Sequence, residues 1–217
     1  MRFLDRSQMR LFPRKGEVLI LESLVSSIDA SGRVNLAPMG PIVHGDLTEP
    51  SGMGVTFTLR PFVSSRTFSN LKQSKCAVIH VTDDAMLIAR AAVGQIDDVD
   101  VAGLVRQIEG TDWWPLIDCH RWFAVEIESI EHDEVRSEMH CRVVRSKMVR
   151  PFFGFNRAKH AVLETAILAT RTHLISADAI HDEIKRLTPL IDKTAGSAEH
   201  DAFKMLRRII DERLADQ

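Results

Sequence analysis

The texture of the chain changes once, at Pro151, and that change limits the fold more than any other feature. From Glu17 to Val149 short runs rich in Val, Ile, Phe and Thr alternate with turn residues: VLILESLV, RVNLA, MGVTFTL, CAVIHVT, FAVEIESIEH and VRSEMHCRVVRSKMV. This is the pattern of β-strands. Beyond Pro151 the signals are helical: Asn156 caps a helix from Arg157 to His173, Ser176 and Asp178 open a second through Leu187, and Ser197 opens a third through Leu214. A β region followed by a helical third is of the α+β class. The boundary falls near FFGF, residues 152–155, whose aromatic content implies a packed junction, so we divide the chain into 1–150 and 151–217.

Within the β region, FAVEIESIEH places Phe123, Val125 and Ile127 on one face and Glu126, Glu128 and Ile130 on the other, which predicts one wetted face. Asp29, Ser31 and Gly32 predict a hairpin turn, with Gly supplying positive φ. Two helices interrupt the strands, near Thr67–Gln73 and over Asp84–Val93, the second capped by Asp83 or Asp84. Residues 108–116 have no clear assignment. The stretch PIVHGDLTEPSG (41–52) predicts an irregular loop, a length that in compact domains often carries function. The helix from 157 to 173 is apolar or small nearly all round between Ala161 and Ala169, which predicts burial on several sides, a partner chain being one candidate neighbour.

Composition removes several classes. With 45% hydrophobic and 27% charged residues in 217, the chain is globular and long enough to bury a core. Twenty-eight Lys plus Arg against 30 Asp plus Glu give a net charge of -2, so no global field draws it to nucleic acid or anionic lipid. No secretory signal or membrane-spanning run is readable, and three cysteines, an odd number, point to a reducing cytoplasm. The GxGxxG, GxxxxGK[ST], GxSxG and HExxH patterns are absent, as is CxxC. Cys119-His120 and His140-Cys141 are adjacent pairs whose side chains diverge in a strand, so no metal is expected.

The cluster that can carry chemistry is SSRTFSNL, residues 64–71, between two strand-like runs. A helix N-terminus offers unpaired N–H groups and a partial positive charge, and Ser65, Arg66 and Thr67 add donors suited to a phosphate monoester. The same residues also read simply as a cap beside a solvated arginine. Upstream, RVNLAPMGP ends at Pro38, which removes a ladder donor, and Gly40 permits close approach of a flat ring to the backbone.

A strand ending in NxAP, an irregular loop, a second strand, then S-R-T-x-x-N-L and an apolar strand resemble the flavin reductase-like FMN-binding split barrel. ESLVSSIDASGRVNLAPMG (22–40), RPFVSSRTFSNL (60–71), VIHVTDDAMLIARAAVG (78–94) and FNRAKHAVLETAILATRTHL (155–174) further resemble an uncharacterised prokaryotic family that adds a helical C-terminal lobe to this barrel. The resemblance implies an antiparallel split β-barrel over 1–150, a helical lobe over 151–217, and a homodimer with FMN at the subunit interface. It also implies the site: the isoalloxazine against Asn35, Ala37, Pro38, Met39 and Gly40; the phosphate on Ser65, Arg66 and Thr67; Asn70 bracing and Arg60 nearby. Asn156, Arg157 and Lys159 are further candidates, and also read as a cap with two exposed cations. The family's reaction is unassigned, and no catalytic residue is named.

Two departures matter. Met39-Gly40-Pro41 replaces the Ser or aromatic residue that simple flavin reductases carry after the proline, and there is no Tyr in the chain. Phe62, Trp113, Trp114 and Trp122 could stack on a flat ring or belong to the core, with the Trp113-Trp114 pair as the candidate site wall. The expected function is an FMN-dependent oxidoreductase acting on a small molecule. The alternatives are a non-catalytic flavin, deazaflavin or pterin carrier, and a structural dimer whose site has decayed.

Overall fold

The computed structural model describes residues 19–152 and 154–217. Its strands are β1 (Leu19–Ile20), β2 (Ser23–Ile28), β3 (Val34–Met39), β4 (Ile42–His44), β5 (Thr56–Leu59), β6 (Cys76–Val81), β7 (Arg121–His132) and β8 (Ser137–Met148). They pair antiparallel in the order β1-β4-β5-β8-β7-β6-β2-β3. The helices are α1 (Arg66–Ser74), α2 (Ala85–Val93), α3 (Asp98–Leu104), α4 (Arg157–Ala169), α5 (Ala177–Thr194) and α6 (Ser197–Ala215). The sheet curls around Val25, Phe57, Leu59, Phe123, Val125 and Met139, and Phe68 and Leu71 of α1 pack into that interior. This is the split barrel with a C-terminal helical lobe that the sequence predicts.

The hairpin at Asp29 forms as expected: Gly32 adopts φ +83° and its N–H donates to Asp29 O at 3.0 Å. Pro38 does not end its strand. It lies inside β3, opposite Leu24, and β3 is the sheet's last strand, so one flank of its backbone needs no ladder partner. The run VLILESLV divides into β1, the first strand of the order, and β2, the last but one, and the loop 41–52 begins with β4.

Strand β7 serves two cores. Phe123 and Val125 face the barrel, while Trp122 and Ala124 pack outward against Leu24, Val78, Leu87 and Leu116, so a wetted outer face begins only at Glu126. An irregularity between Ile127 and Ser129 returns Ile130 to the barrel side, where strict alternation had set it beside Glu126. The outer layer includes α3, which the sequence reading omitted although Asp97 and Asp100 form a reciprocal capping box at its start. Trp113 and Trp114 belong to this layer, with the Trp113 indole N–H 3.4 Å from Val125 O and Trp114 O accepting from Ser26 Oγ at 2.7 Å.

In the helical lobe, α4 buries Ala158, Ala161, Val162, Thr165, Ala166 and Ala169. Its neighbours are α2, α5 and α6 of the same chain, so its small-residue circumference is covered without a partner. It stops at Ala169, short of the expected His173, and α5 continues past Leu187, through Pro189, to Thr194.

Candidate functional site

The two ends of the sheet, β1 and β3, meet beside the start of α1. Their junction is tight: Leu21 N–H donates to Pro41 O at 3.1 Å, and a Cβ on Gly40 would stand 2.7 Å from Ile20 Cγ2. Gly40 therefore admits a side chain of this chain. Next to it opens a groove of about 540 Å³, lined by Ile20, Ala37 to Gly40 and Ile42 on the sheet side, and by Arg60, Pro61, Phe62, Ser65 and Thr67 on the other. Arg136 and Arg171 complete the wall.

Helix α1 is set by its cap and two ties to the sheet. Ser65 is the N-cap, its Oγ accepting from Phe68 N–H at 3.1 Å, which leaves the hydroxyl proton free to point outward. Asn35 Nδ2 donates to Thr67 Oγ1 at 3.1 Å, joining β3 to the first turn, and buried Asn70 Nδ2 donates to Ser27 Oγ at 3.1 Å, joining the next turn to β2. The first amides of the helix, at Arg66 and Thr67, have no intrahelical acceptor. Two hydroxyls thus line one end of the groove at the start of α1, a donor set for an anion.

Of the sequence-predicted residues, Ala37, Pro38, Met39, Gly40, Arg60, Ser65 and Thr67 line this groove, while Asn35 and Asn70 support it from behind. Arg66 points elsewhere: its guanidinium lies 3.6 Å from Asp29 Oδ2 and 4.0 Å from Asp98 Oδ1. Hydrogen bonds from the Ser31 hydroxyl and from the Arg33 and Ser31 amides, with the Arg33 charge, hold the Asp29 carboxyl well below the usual range, so it is a constant anion there.

Asn156 and Lys159 are gathered at a different place, the junction of barrel and lobe. Asn156 caps α4 by accepting from Lys159 N–H at 3.1 Å and donates from Nδ2 to Thr194 O at 2.9 Å. Lys159 Nζ donates to Asp83 O at 2.7 Å and pairs with Glu199 at 3.2 Å. Asp83 also receives Arg150 at 2.5 Å and His120 Nε2 at 3.0 Å. Burial opposes its ionisation, but the Arg150 hydrogen bond and the charges of Lys159, Arg150 and His120 outweigh burial and lower its pKa. Arg157 is exposed beside this cluster.

Of the aromatic candidates Phe62 lines the groove, and the sequence reading missed Arg136 and Arg171 beside it. Phe62 and Arg136 form an isolated antiparallel bridge, with the guanidinium carbon 3.4 Å from the ring centroid. Arg171 follows α4 and reaches the groove only through packing of the lobe. No local signal in the sequence announces either arginine.

The loop after β4 is held from beneath. Arg121, 6% exposed, donates to the carbonyls of Leu47 (3.0 Å), Glu49 (3.1 Å) and Pro50 (2.9 Å) and to Ser146 Oγ (3.0 Å). Among the described residues no group of three or more His, Cys, Asp or Glu could hold a metal, and no helix is long and apolar enough to cross a membrane.

The fold recurs in an FMN-bound protein from Methanosarcina mazei, with a TM-score of 0.71 and 22% identity over 88% of this chain and 94% of that one. A 2-nitrobenzoate 2-nitroreductase from Pseudomonas fluorescens aligns at a TM-score of 0.48 with 16% identity over 67% of this chain and 73% of its own. An FMN-binding protein from Thermus thermophilus aligns at 0.48 with 15% identity over 68% and 82%. No curated protein matches. Two family models cover the chain, the N-terminal domain of the protein of unknown function DUF447 at residues 21–150 and a second DUF447 model at 156–208. The chain belongs to the DUF447 family.

Proposed function

We propose that this protein binds FMN in the groove between β3 and α1 and is a flavin-dependent oxidoreductase of a small molecule. The observation that carries the reading is that Ser65 and Thr67, at the start of α1, line one end of a groove walled on the other side by Ala37 to Gly40. The fit is chemical: hydroxyls and helix-start amides suit a phosphate monoester, and the exposed strand edge suits the hydrogen-bonding rim of a flat heterocycle. A groove of about 540 Å³ lies within the usual size for such ligands. The FMN-bound relative from Methanosarcina mazei supports the same ligand.

When bound, FMN would supply the electron transfer, accepting or giving a hydride. The chain's part is placement and charge. Ser65 and Thr67 would hold the phosphate, Asn35 and Asn70 would fix the strand and helix that present those groups, and Arg60, paired with Glu138, would stand at the rim. In this reading Arg66 acts through the local field, and Asn156, Arg157 and Lys159 belong to the lobe junction. The described polar side chains lining the groove are arginines and hydroxyls, which suits a reaction needing no protein nucleophile.

The reading extends to a barrel of 1–150 and a lobe of 151–217 working as one cytoplasmic homodimer, with the second copy covering the groove. Purified protein should absorb in the blue and, mixed anaerobically with reduced nicotinamide, should bleach. A flavin that binds and is not reduced favours the carrier reading, with a flavin, deazaflavin or pterin held without turnover. A colourless protein whose Tm does not rise with FMN overturns both. Sedimentation at the 24.4 kDa of one chain would overturn the dimer.

A further inference from the structure

We propose that the groove has a second anion subsite, formed by Arg136 and Arg171, that receives a carboxylate or phosphate carried by the molecule exchanging electrons with the flavin. The proposal rests on the FMN reading above and names the class of its partner: a small, anionic compound.

Three guanidinium groups face this groove, and their surroundings differ. Arg60 is offset by Glu138, with Nε 3.2 Å from Oε1. Arg136 and Arg171 have no carboxylate within ion-pair distance among the described residues. Arg136 is nevertheless held: Nη1 donates to Arg60 O at 3.1 Å, and the guanidinium carbon sits over the Phe62 ring, 3.4 Å from its centroid. Stacking on an aromatic face holds an arginine without using up its fork of donors, which stays open for a planar or tetrahedral oxyanion. A cation already immobilised loses little side-chain entropy when the anion arrives.

A single phosphate does not account for these groups. Its oxygens are matched by the Ser65 and Thr67 hydroxyls and the α1 amides, leaving two uncompensated positive charges along the same groove. Arg171 comes from the helical lobe and Arg136 from the barrel, so an anion bridging them would link the two parts of the chain.

The test uses calorimetric titration of the full-length protein, flavin-free and FMN-loaded, with two probes: benzoate as a carboxylate and NADP+ as a phosphate bearer, both inert to turnover. At least one should bind the wild type, and Arg136→Gln and Arg171→Gln should each raise its apparent Kd tenfold or more, while FMN affinity stays within threefold. Binding of benzoate alone assigns a carboxylate, and binding of NADP+ alone a phosphate. The proposal is overturned if neither probe binds, if both variants bind as the wild type does, or if the variants lose FMN tenfold, which would give these arginines to the flavin's own phosphate. Failure of the wild type to take up FMN would overturn the FMN reading separately, and the flavin-free titrations would still decide the arginine subsite.

Discussion

Asn35 donates from Nδ2 to Thr67 Oγ1 at 3.1 Å, so the last strand of the sheet and the first turn of α1 are held in one geometry by a single half-buried bond. The bond leaves the Thr67 hydroxyl proton free while fixing the oxygen that carries it. Asn35→Ala should therefore act twice: a stability loss of about 1 kcal/mol, the usual worth of one such bond, and a weaker FMN complex. Urea denaturation and a flavin fluorescence titration measure the two effects. A loss of stability with unchanged flavin affinity would make the tie structural only.

The hydroxyls and the guanidinium at the start of α1 should separate in the same titration. Ser65→Ala and Thr67→Val each remove a proposed phosphate donor, and each should cost about 1 to 2 kcal/mol of FMN affinity, five- to thirtyfold. Arg66→Ala should change it by less than about threefold, since its guanidinium lies against Asp29 and Asp98, and exposed cations act weakly at a distance. A tenfold loss in Arg66→Ala would mean that the side chain leaves Asp29 for the ligand.

Much of this was readable in advance, for a physical reason. Capping and strand alternation are local, so the helix at Ser65, the hairpin at Gly32 and the helical lobe are written in adjacent residues. What distant groups decide is not written in adjacent residues. Ile130 returns to the core because β7 loses its regular register after Ile127, α4 finds its covering in α2, and Arg171 meets the groove only after the lobe has docked. Lys159 looked free for a ligand because nothing near it in sequence reveals Asp83 and Glu199. The capping box at Asp97 and Asp100 was local, and α3 could have been found from it.

His80 gives the fold an acid limit. Wholly buried in β6, it has Nδ1 2.9 Å from Leu24 O and accepts Leu116 N–H on Nε2 at 3.0 Å, which requires the neutral ring protonated on Nδ1. Burial lowers its pKa from 6.5 to about 4, the bond to Leu24 opposing only in part. The folded state therefore binds a proton less readily than the unfolded one, so stability is full above pH 6.5 and falls as pH drops from there towards 4. The expected loss is about 3 kcal/mol. Urea denaturation between pH 7 and 4 measures it, and a flat profile would show that His80 is solvated.

The loop after β4 should depend on one cation. Arg121 holds three of its carbonyls, and Arg121→Met would leave them without that donor in a half-buried setting, costing about 1 to 3 kcal/mol and exposing residues 46–52 to proteolysis. Gly52 tests the same arrangement from the other side. It has φ +70°, and an added Cβ would stand 2.6 Å from Arg121 Nη2, so Gly52→Ala should be destabilising and should speed cleavage of the same loop. Unchanged proteolysis in both variants would mean that the loop holds itself.

The junction of barrel and lobe supplies the last test. Asp83 stands among Arg150, Lys159 and His120, and Lys159 turns at once to Asp83 on the barrel and Glu199 on α6. Asp83→Asn keeps the shape and removes the charge, leaving Lys159 with Glu199 and Arg150 with Asp118 as their remaining anions, at a cost of about 1 to 3 kcal/mol. Because the Asp83 and Glu199 carboxyls are held below their ordinary values, their contribution is present above about pH 4.5 and is lost as pH falls through the lowered values. The acid loss should therefore come in two stages, with His80 acting from pH 6.5 and the junction acting below the range of free carboxylates. Asp83→Asn should shrink the second stage and leave the first in place. Flavin affinity in this variant should stay near that of the wild type, because the cluster lies outside the groove; a large loss would return Lys159 and Asn156 to the cofactor site.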